Sequence, residues 1–322
     1  MVSDVIGERI IAATPTPMRA DESVDLDNLA ALVDIDIARG VEGIYIGGST
    51  GEGMLLSLEE RESAARTAVD AAAGRVPVIA HVGAMTTRDA IRLAQAAEEA
   101  GVAAVSMIPP LYYHYSTEEV VAHYRAVIDQ VGLPFIVYNI PQFTGRDVVE
   151  GGYEALLSLP QVVGIKHTSQ NLFGAERLVA QYPDVKLING FDELYLPALM
   201  MGATASIGTT VGLQIELFRS LRARVKAGDL DGARTVQVRI NETLDGMIRE
   251  GVFPAAKYLV GKYAVACGSC RRPMAALTAG NRANLDALWS RLQDSIAATA
   301  AEDAARARHP HGTQNLTPQE TT

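Results

Sequence analysis

Eight short apolar runs recur along the chain, and helical patterns separate them. The runs are nearly continuous in Val, Ile and Ala, which is typical of strands buried on both faces of a parallel sheet. They cover residues 9–14, 43–47, 76–81, 103–108, 135–139, 162–166, 186–190 and 205–208. Eight strands alternating with helices favour an α/β fold of the closed (β/α)8 TIM barrel type over an open doubly wound sheet. The lack of a Gly-rich dinucleotide turn after the first run favours the same choice.

The helical segments begin and end at recognisable residues. Ser57 and Glu60 have the spacing of a capping box ahead of a helix, and Gly101 is suited to end another. These and similar patterns predict helices over 27–39, 58–73, 87–100 and 117–130. After the eighth run only helical patterns remain, at 213–227, 230–250, 254–266 and 281–300. We therefore predict a barrel over 1–225, a small C-terminal helical extension over 226–300 and a disordered tail over 301–322, which has little to bury.

Composition excludes several classes of function. The 322 residues carry a net charge of −10, whereas binding to nucleic acid requires a basic face. The two cysteines exclude a disulfide framework. No apolar run approaches the length of a membrane-spanning helix, and charged residues interrupt the N-terminus, so we expect neither a membrane partner nor a signal peptide. These features predict a soluble protein of a reducing compartment, the cytoplasm.

Lysine is scarce, and one lysine has an unusual position. Only five of the 28 basic residues are lysines, and none lies in the first 165 residues, which we attribute to codon bias. Lys166 ends the sixth apolar run, where burial disfavours the charged amine. A neutral amine is what Schiff-base chemistry requires. We favour this interpretation over a surface lysine, and the other four lysines have less distinctive surroundings.

Three further motifs follow strands, at the barrel face where active sites of this fold are built. Residues 47–53 (GGSTGEG) offer glycine N–H groups and two hydroxyls, which suits a small anion, although a tight turn would use the same glycines. Tyr138 ends the fifth run and could relay protons, or it could be a core tyrosine. Asp192 and Glu193 follow the seventh run and could bind hydroxyls of a polyol, or they could complement a helix dipole.

Two patterns carry less weight. Cys267 and Cys270 have CxxC spacing without a second pair, and we interpret this as accidental. The six histidines show no HExxH motif and no ligand pair, so we predict no metal site. His81 ends the third run, where we expect a supporting or core role.

Taken together, the motifs resemble the pyruvate-dependent class I aldolase family that includes dihydrodipicolinate synthase and N-acetylneuraminate lyase. The resemblance covers roughly residues 8–295. Its markers are the GSTGE loop at 48–52, the YNIP segment at 138–141 and the lysine of GIKHTS at 164–169.

Within that family the chain looks most like the N-acetylneuraminate lyase branch. The branch features are Ser49, the IAHVG stretch at 79–83, the KHTS segment and the GFDE segment at 190–193. The synthase carries an arginine after its YNxPG motif for its second substrate, and Phe143 stands at that place here. The chain departs from common lyase patterns at Thr209, often Ser, and at Phe191, often Tyr, which leaves the sugar specificity open.

The resemblance implies a fold, a reaction and roles for particular residues. It implies that Lys166 forms an iminium with a 2-oxo acid and that Tyr138 shuttles the proton of the C4 hydroxyl. Tyr112 is implied to approach a neighbouring subunit's site in a homotetramer. The remaining implied substrate-binding residues are Ser49 and Thr50 for the carboxylate, and Thr168, Gly190, Asp192, Glu193 and Thr209 for the sugar hydroxyls. No metal or organic cofactor is implied.

Three functions are therefore candidates for this chain. The first is cleavage of N-acetylneuraminate to pyruvate and N-acetylmannosamine. The second is another aldolase or hydratase of the family, acting on a different 2-oxo acid, and the Asp192–Glu193 pair favours a polyhydroxylated substrate over an apolar one. The third is a non-catalytic 2-oxo acid sensor, against which the presence of both Lys166 and Tyr138 argues.

Overall fold

The strands of the computed structural model form one closed parallel barrel. The structure describes residues 5–150 and 152–308. Neighbouring strands pair in chain order, and β8 pairs back onto β1. The strands are β1 (Ile10–Ala13), β2 (Ile44–Ile46), β3 (Val78–His81), β4 (Ala104–Met107), β5 (Phe135–Asn139), β6 (Val162–His167), β7 (Lys186–Asn189) and β8 (Ala205–Gly208). The predicted (β/α)8 barrel is confirmed.

Helices follow the strands and continue beyond the last one. They are α1 (Leu26–Ala38), α2 (Leu58–Ala72), α3 (Thr87–Ala100), α4 (Thr117–Ile128), α5 (Pro141–Thr144), α6 (Glu154–Leu157), α7 (Leu172–Gln181), α8 (Tyr195–Met200), α9 (Ile215–Lys226), α10 (Leu230–Glu250), α11 (Val252–Tyr263) and α12 (Ala279–Arg308). The capping box predicted at Ser57 and Glu60 is present, and Gly101 ends α3 in the left-handed conformation. Short 3₁₀ turns cover Gly53–Leu55, Val148–Glu150 and Asp192–Leu194.

The apolar core has two layers, as the alternation of side chains along barrel strands requires. One layer lies between the strands and the surrounding helices. The other fills the inside of the barrel with side chains such as Ile11, Tyr45, Ile136, Ile188 and Ile207. This inner layer forms a solid base, so the C-terminal ends of the strands enclose a mouth rather than a pore.

The C-terminal extension is helical as predicted, but its last helix is longer than predicted. We predicted disorder from residue 301, whereas α12 continues to Arg308. The buried Arg224 guanidinium donates hydrogen bonds to Glu302 and Asp303, and Arg239 also pairs with Glu302. The hydrogen bonds from Arg239, followed by those from Arg224, lower the pKa of Glu302 to about 2. These ion pairs give the last turns of α12 a partner that its polar sequence did not reveal.

The rest of the predicted tail, residues 309–322, lies outside the described residues. No helix in the described ranges is both long enough and apolar enough to span a membrane.

Candidate active site

Two predicted side chains meet at the mouth of the barrel. Tyr138 of β5 and Lys166 of β6 are direct neighbours in the strand register, so both point into the barrel. The Lys166 Nζ lies 3.8 Å from the centre of the Tyr138 ring and 4.6 Å from that of Tyr45. Lys166 is only 4% exposed. The structure therefore places one amine against two aromatic rings in a nearly dry setting.

His81, at the end of β3, packs against Tyr138. Its ring packs edge-on against Tyr138, with 6.0 Å between the ring centres. Burial, and then the charges of Arg61 and Lys166, hold the pKa of His81 well below its usual value, so the imidazole is neutral. Arg61 is itself buried and donates to the carbonyl oxygens of His81 and Gly83. His81 thus has the supporting role expected from the sequence.

The loop after β2 forms one wall of the mouth. Ser49 and Thr50 face the same cavity as Lys166. The Thr50 hydroxyl lies 2.7 Å from the hydroxyl of Thr209, which follows β8. The structure therefore brings two of the predicted hydroxyls together, and with Ser49 they offer a cluster of hydrogen-bonding groups beside the amine.

The opposite wall carries the groups expected to bind a polyol. The Asp192 Oδ2 accepts hydrogen bonds from the backbone N–H and the hydroxyl of Thr210. Within the described ranges, the Asp192 Oδ1 and the Thr168 hydroxyl are buried without a hydrogen-bond partner, and both residues line the cavity. Burial raises the pKa of Asp192, an effect opposed by the Thr210 bonds, and burial also raises the pKa of Glu193. Unsatisfied buried polar atoms at a cavity wall point to ligand hydrogen bonds.

Gly190 is required by its neighbour. A Cβ atom there would come within 1.9 Å of the Thr168 hydroxyl oxygen. Glycine at this position therefore leaves the space that the Thr168 hydroxyl occupies.

The cavity has a volume of about 560 Å³, which is within the range of small-molecule sites. It is lined by every predicted site residue except Tyr112. The outer wall of the cavity is apolar and was not predicted; α10, α11 and the segment after α11 supply it. The side chains of that wall include Leu244, Ile248, Phe253 and Met274. No local signal identified them, because their helices are remote in sequence from every barrel strand.

Tyr112 lies apart from this cavity. It is 84% exposed, on the loop between β4 and α4, and has a left-handed φ of +79°. Its ring packs edge-on against Tyr113.

Lys257 differs from the unremarkable lysine that the sequence suggested. It is 2% exposed, as buried as Lys166, and it forms an ion pair with Glu52.

The two cysteines of the CxxC pattern are free and buried, and burial raises the pKa of each thiol to about 12. In the described part of the chain, no three His, Cys, Asp or Glu side chains cluster as metal ligands would.

Residues 7–292 match the Dihydrodipicolinate synthetase family. The chain belongs to this family. The barrel, the lysine on β6 and the tyrosine on β5 lie within the matched region.

Within the dihydrodipicolinate synthetase family, one curated relative is the N-acetylneuraminate lyase of Rhizobium meliloti (strain 1021). It is 44% identical over 270 residues, which cover 83% of this chain and 89% of the relative.

Solved structures show the same architecture in both branches of the family. A catalytic lysine mutant of the Ruminococcus gnavus sialic acid aldolase has a TM-score of 0.87 at 25% identity, over 92% of this chain and 98% of that one. Dihydrodipicolinate synthase DapA-2 of Bacillus anthracis has a TM-score of 0.84 at 27% identity, over 88% and 98%. Since the two scores are so similar, the fold does not distinguish the substrates, and the sequence of the site must do so.

Proposed function

We propose that the protein is a Schiff-base aldolase that cleaves N-acetylneuraminate to pyruvate and N-acetylmannosamine. The observation that carries the proposal is the buried Lys166 amine held 3.8 Å from the Tyr138 ring at the mouth of the barrel. The 44% identity to a curated N-acetylneuraminate lyase supports this choice of substrate.

The reaction follows from the chemistry of an amine and a 2-oxo acid. The Lys166 Nζ attacks the C2 ketone of the open-chain sugar acid, and loss of water gives an iminium. The iminium accepts the electron pair of the C3–C4 bond as that bond breaks, which leaves an enamine. The Tyr138 oxygen takes the proton of the C4 hydroxyl, so that C4 becomes the aldehyde carbon, and a proton is returned to C3. Water then hydrolyses the imine and releases pyruvate. The covalent imine is the electron sink, so the proposed mechanism requires no metal or organic cofactor.

The remaining site residues hold the substrate on either side of the reacting carbons. Ser49, Thr50 and the N–H groups of their loop bind the carboxylate. Thr168, Asp192 and Glu193 bind the sugar hydroxyls, and Gly190 and Thr209 complete this half of the site. The Asp192 Oδ1 and the Thr168 hydroxyl have no hydrogen-bond partner among residues 5–150 and 152–308. They favour a polyhydroxylated substrate, because an apolar one would leave them unsatisfied.

We also propose that the enzyme is a homotetramer in which Tyr112 completes the site of a neighbouring subunit. The Tyr112 side chain is 84% exposed, and its backbone is held at a positive φ, a strained conformation of the kind that is often kept at functional sites. Tyr113 beside it is 66% exposed, so the two rings form an apolar patch suited to a second copy.

Borohydride trapping tests the mechanism. With pyruvate present, borohydride should reduce the imine and attach a stable adduct to Lys166, which peptide mass spectrometry would locate. The Lys166→Met variant is the control and should not be labelled. An unlabelled Lys166 in the wild-type protein would contradict the Schiff-base mechanism. A non-catalytic 2-oxo acid sensor would then be the better hypothesis.

A panel of 2-oxo sugar acids tests the substrate. Pyruvate release from N-acetylneuraminate is expected. Release from another acid, but not from N-acetylneuraminate, would retain the mechanism and reject the substrate.

A further inference from the structure

The loop that carries Ser49 and Thr50 is anchored by a buried ion pair that the mechanism does not use. Glu52, at the end of this loop, adopts a left-handed φ of +57° and its side chain is fully buried. Its carboxylate pairs with the Lys257 ammonium of α11, whose side chain is 1% exposed. Burying two charges carries a large desolvation cost, and removal of one partner would leave the other as an uncompensated buried charge.

The Glu52–Lys257 pair also forms hydrogen bonds with a segment of the C-terminal extension. We call residues 264–278, between α11 and α12, the C-terminal strap. The Lys257 Nζ donates to the Ser269 carbonyl oxygen at 3.0 Å, and the Glu52 Oε2 accepts the Arg271 N–H at 2.7 Å. The pair therefore binds the strap on one side and the loop on the other.

Other contacts hold the strap across the start of the barrel. The Arg271 guanidinium pairs with Glu60 of α2 and donates to the Leu55 carbonyl oxygen. The Cys267 carbonyl oxygen accepts the Met18 N–H. Met274 of the strap lines the same cavity as Lys166. The strap thus joins the carboxylate-binding loop to the apolar wall of the site.

Backbone hydrogen bonds connect Glu52 directly to Ser49. The Glu52 N–H donates to the Ser49 carbonyl oxygen at 3.1 Å, and the Gly53 N–H donates to the Gly48 carbonyl oxygen at the same distance. A Cβ at Gly53 would lie 1.8 Å from the Gly47 carbonyl oxygen, so the two ends of the loop are in direct contact. A loop cross-linked in this way moves as a unit.

We infer that Lys257 is a positioning residue: through Glu52 it holds Ser49 and Thr50 where they bind the carboxylate of the 2-oxo acid. The inference rests on the proposed function, since it assigns that loop to the carboxylate. Lys257 itself faces Glu52 and the strap, so it acts through the loop and does not touch the substrate.

The test compares two sites at which a buried cation forms ion pairs between the barrel and the C-terminal helices. In Lys257→Met the loop loses its anchor. In the matched control Arg224→Met, α9 loses its ion pairs with α12, and Arg224 does not line the cavity. The readouts are thermal melting and the pyruvate concentration that gives half-maximal borohydride labelling of Lys166.

Both variants should melt at a lower temperature than the wild type. Lys257→Met leaves the buried Glu52 carboxylate without its cation, and Arg224→Met removes the ion pairs that join α9 to α12. Only Lys257→Met should raise the half-saturating pyruvate concentration, by about tenfold, with a smaller change in the maximal rate of sugar-acid cleavage. Lys257→Arg, which keeps a cation opposite Glu52, should recover part of the affinity.

Each other outcome has a distinct meaning. If the wild type is not labelled, the proposed function fails. If the wild type is labelled and Lys257→Met has an unchanged half-saturating concentration, or one raised equally in Arg224→Met, the positioning role is overturned. If Lys257→Met does not fold, Arg271→Ala serves as the second variant. It removes the contacts of the Arg271 guanidinium with Glu60 and the Leu55 carbonyl oxygen, which hold the strap against the barrel. It should raise the half-saturating concentration at least about threefold, and an unchanged value would equally overturn the inference.

Discussion

Lys166 and Tyr138 show how barrel geometry alone can assemble a reactive pair. Each residue follows an apolar run on its own strand, and the register of β5 against β6 places them side by side. The rings of Tyr45 and Tyr138 pack against the Lys166 amine and exclude water from it, and their π-faces would stabilise the cationic iminium of the proposed mechanism. Reactivity here is therefore a property of position in the strand, since Lys257 is equally buried but has a carboxylate partner.

Removing the Tyr138 hydroxyl tests its role as the proton carrier. In Tyr138→Phe we expect turnover of the sugar acid to fall by roughly 10²–10⁴-fold, because proton transfer in catalysis typically contributes that much. Borohydride labelling of Lys166 with pyruvate should persist, since the amine is retained. Tyr45→Phe is the matched control: that tyrosine also packs against Lys166, but its hydroxyl donates to Ser106. Equal losses in both variants would argue against the relay.

At the level of elements, polar contacts join the extension to the barrel. The Tyr263 hydroxyl of α11 donates to the Asp36 carboxylate of α1 at 2.8 Å. The Arg39 guanidinium stacks on the Tyr263 ring, and Trp289 of α12 stacks on the same ring. This junction couples the first helix of the barrel to the last two helices of the chain.

The junction should leave a signature in the pH dependence of stability. Burial raises the pKa of Asp36 to about 6, above its value in the unfolded chain. The native state therefore holds this proton more tightly, and the stabilisation is complete below about pH 4 and is lost as the pH rises through about 6. Asp36→Asn should remove this contribution, on the order of 2–3 kcal/mol of unfolding free energy.

Chemical denaturation at several pH values between 4 and 7.5 measures this effect as a difference between variant and wild type. Asp34→Asn, on the exposed side of α1, is the control and should follow the wild-type profile. A difference between Asp36→Asn and the wild type that does not change with pH would contradict the assignment.

For the whole molecule, the exposed Tyr112 predicts assembly. Sedimentation should give a particle of about four times the chain mass of 34.3 kDa. Tyr112→Phe should lower turnover without changing that mass, because the hydroxyl would be missing from the neighbouring site. The neighbouring Tyr113→Phe is the control. A monomer with full activity would reject both the tetramer and the role of Tyr112.

Local patterns predicted the architecture and placed several residues at the candidate site. The apolar runs predicted the barrel because each strand is buried on both faces, and such strands are nearly continuous in apolar residues. Since barrel active sites lie at the C-terminal strand ends, the residues following each run could be assigned to one mouth before any contact was known. Lys166, Tyr138, Thr50 and Asp192 indeed line one cavity, and Thr209, which only the family resemblance implied, lines it too. Action in a reducing compartment stays a prediction from composition.

Only the tertiary structure revealed the partners that are remote in sequence. Glu52 and Arg271 are separated by 219 positions, and no periodicity along the chain indicates that their groups meet. The same holds for the contacts that extend α12 to Arg308. It also holds for the apolar wall of the cavity. Strand and helix periodicity reports which face of an element is buried, whereas ion pairs depend on which elements pack together. The sequence alone therefore determined the barrel and the lysine on its sixth strand, and the packing of the C-terminal segments decided what holds the loop of Ser49 and Thr50 beside it.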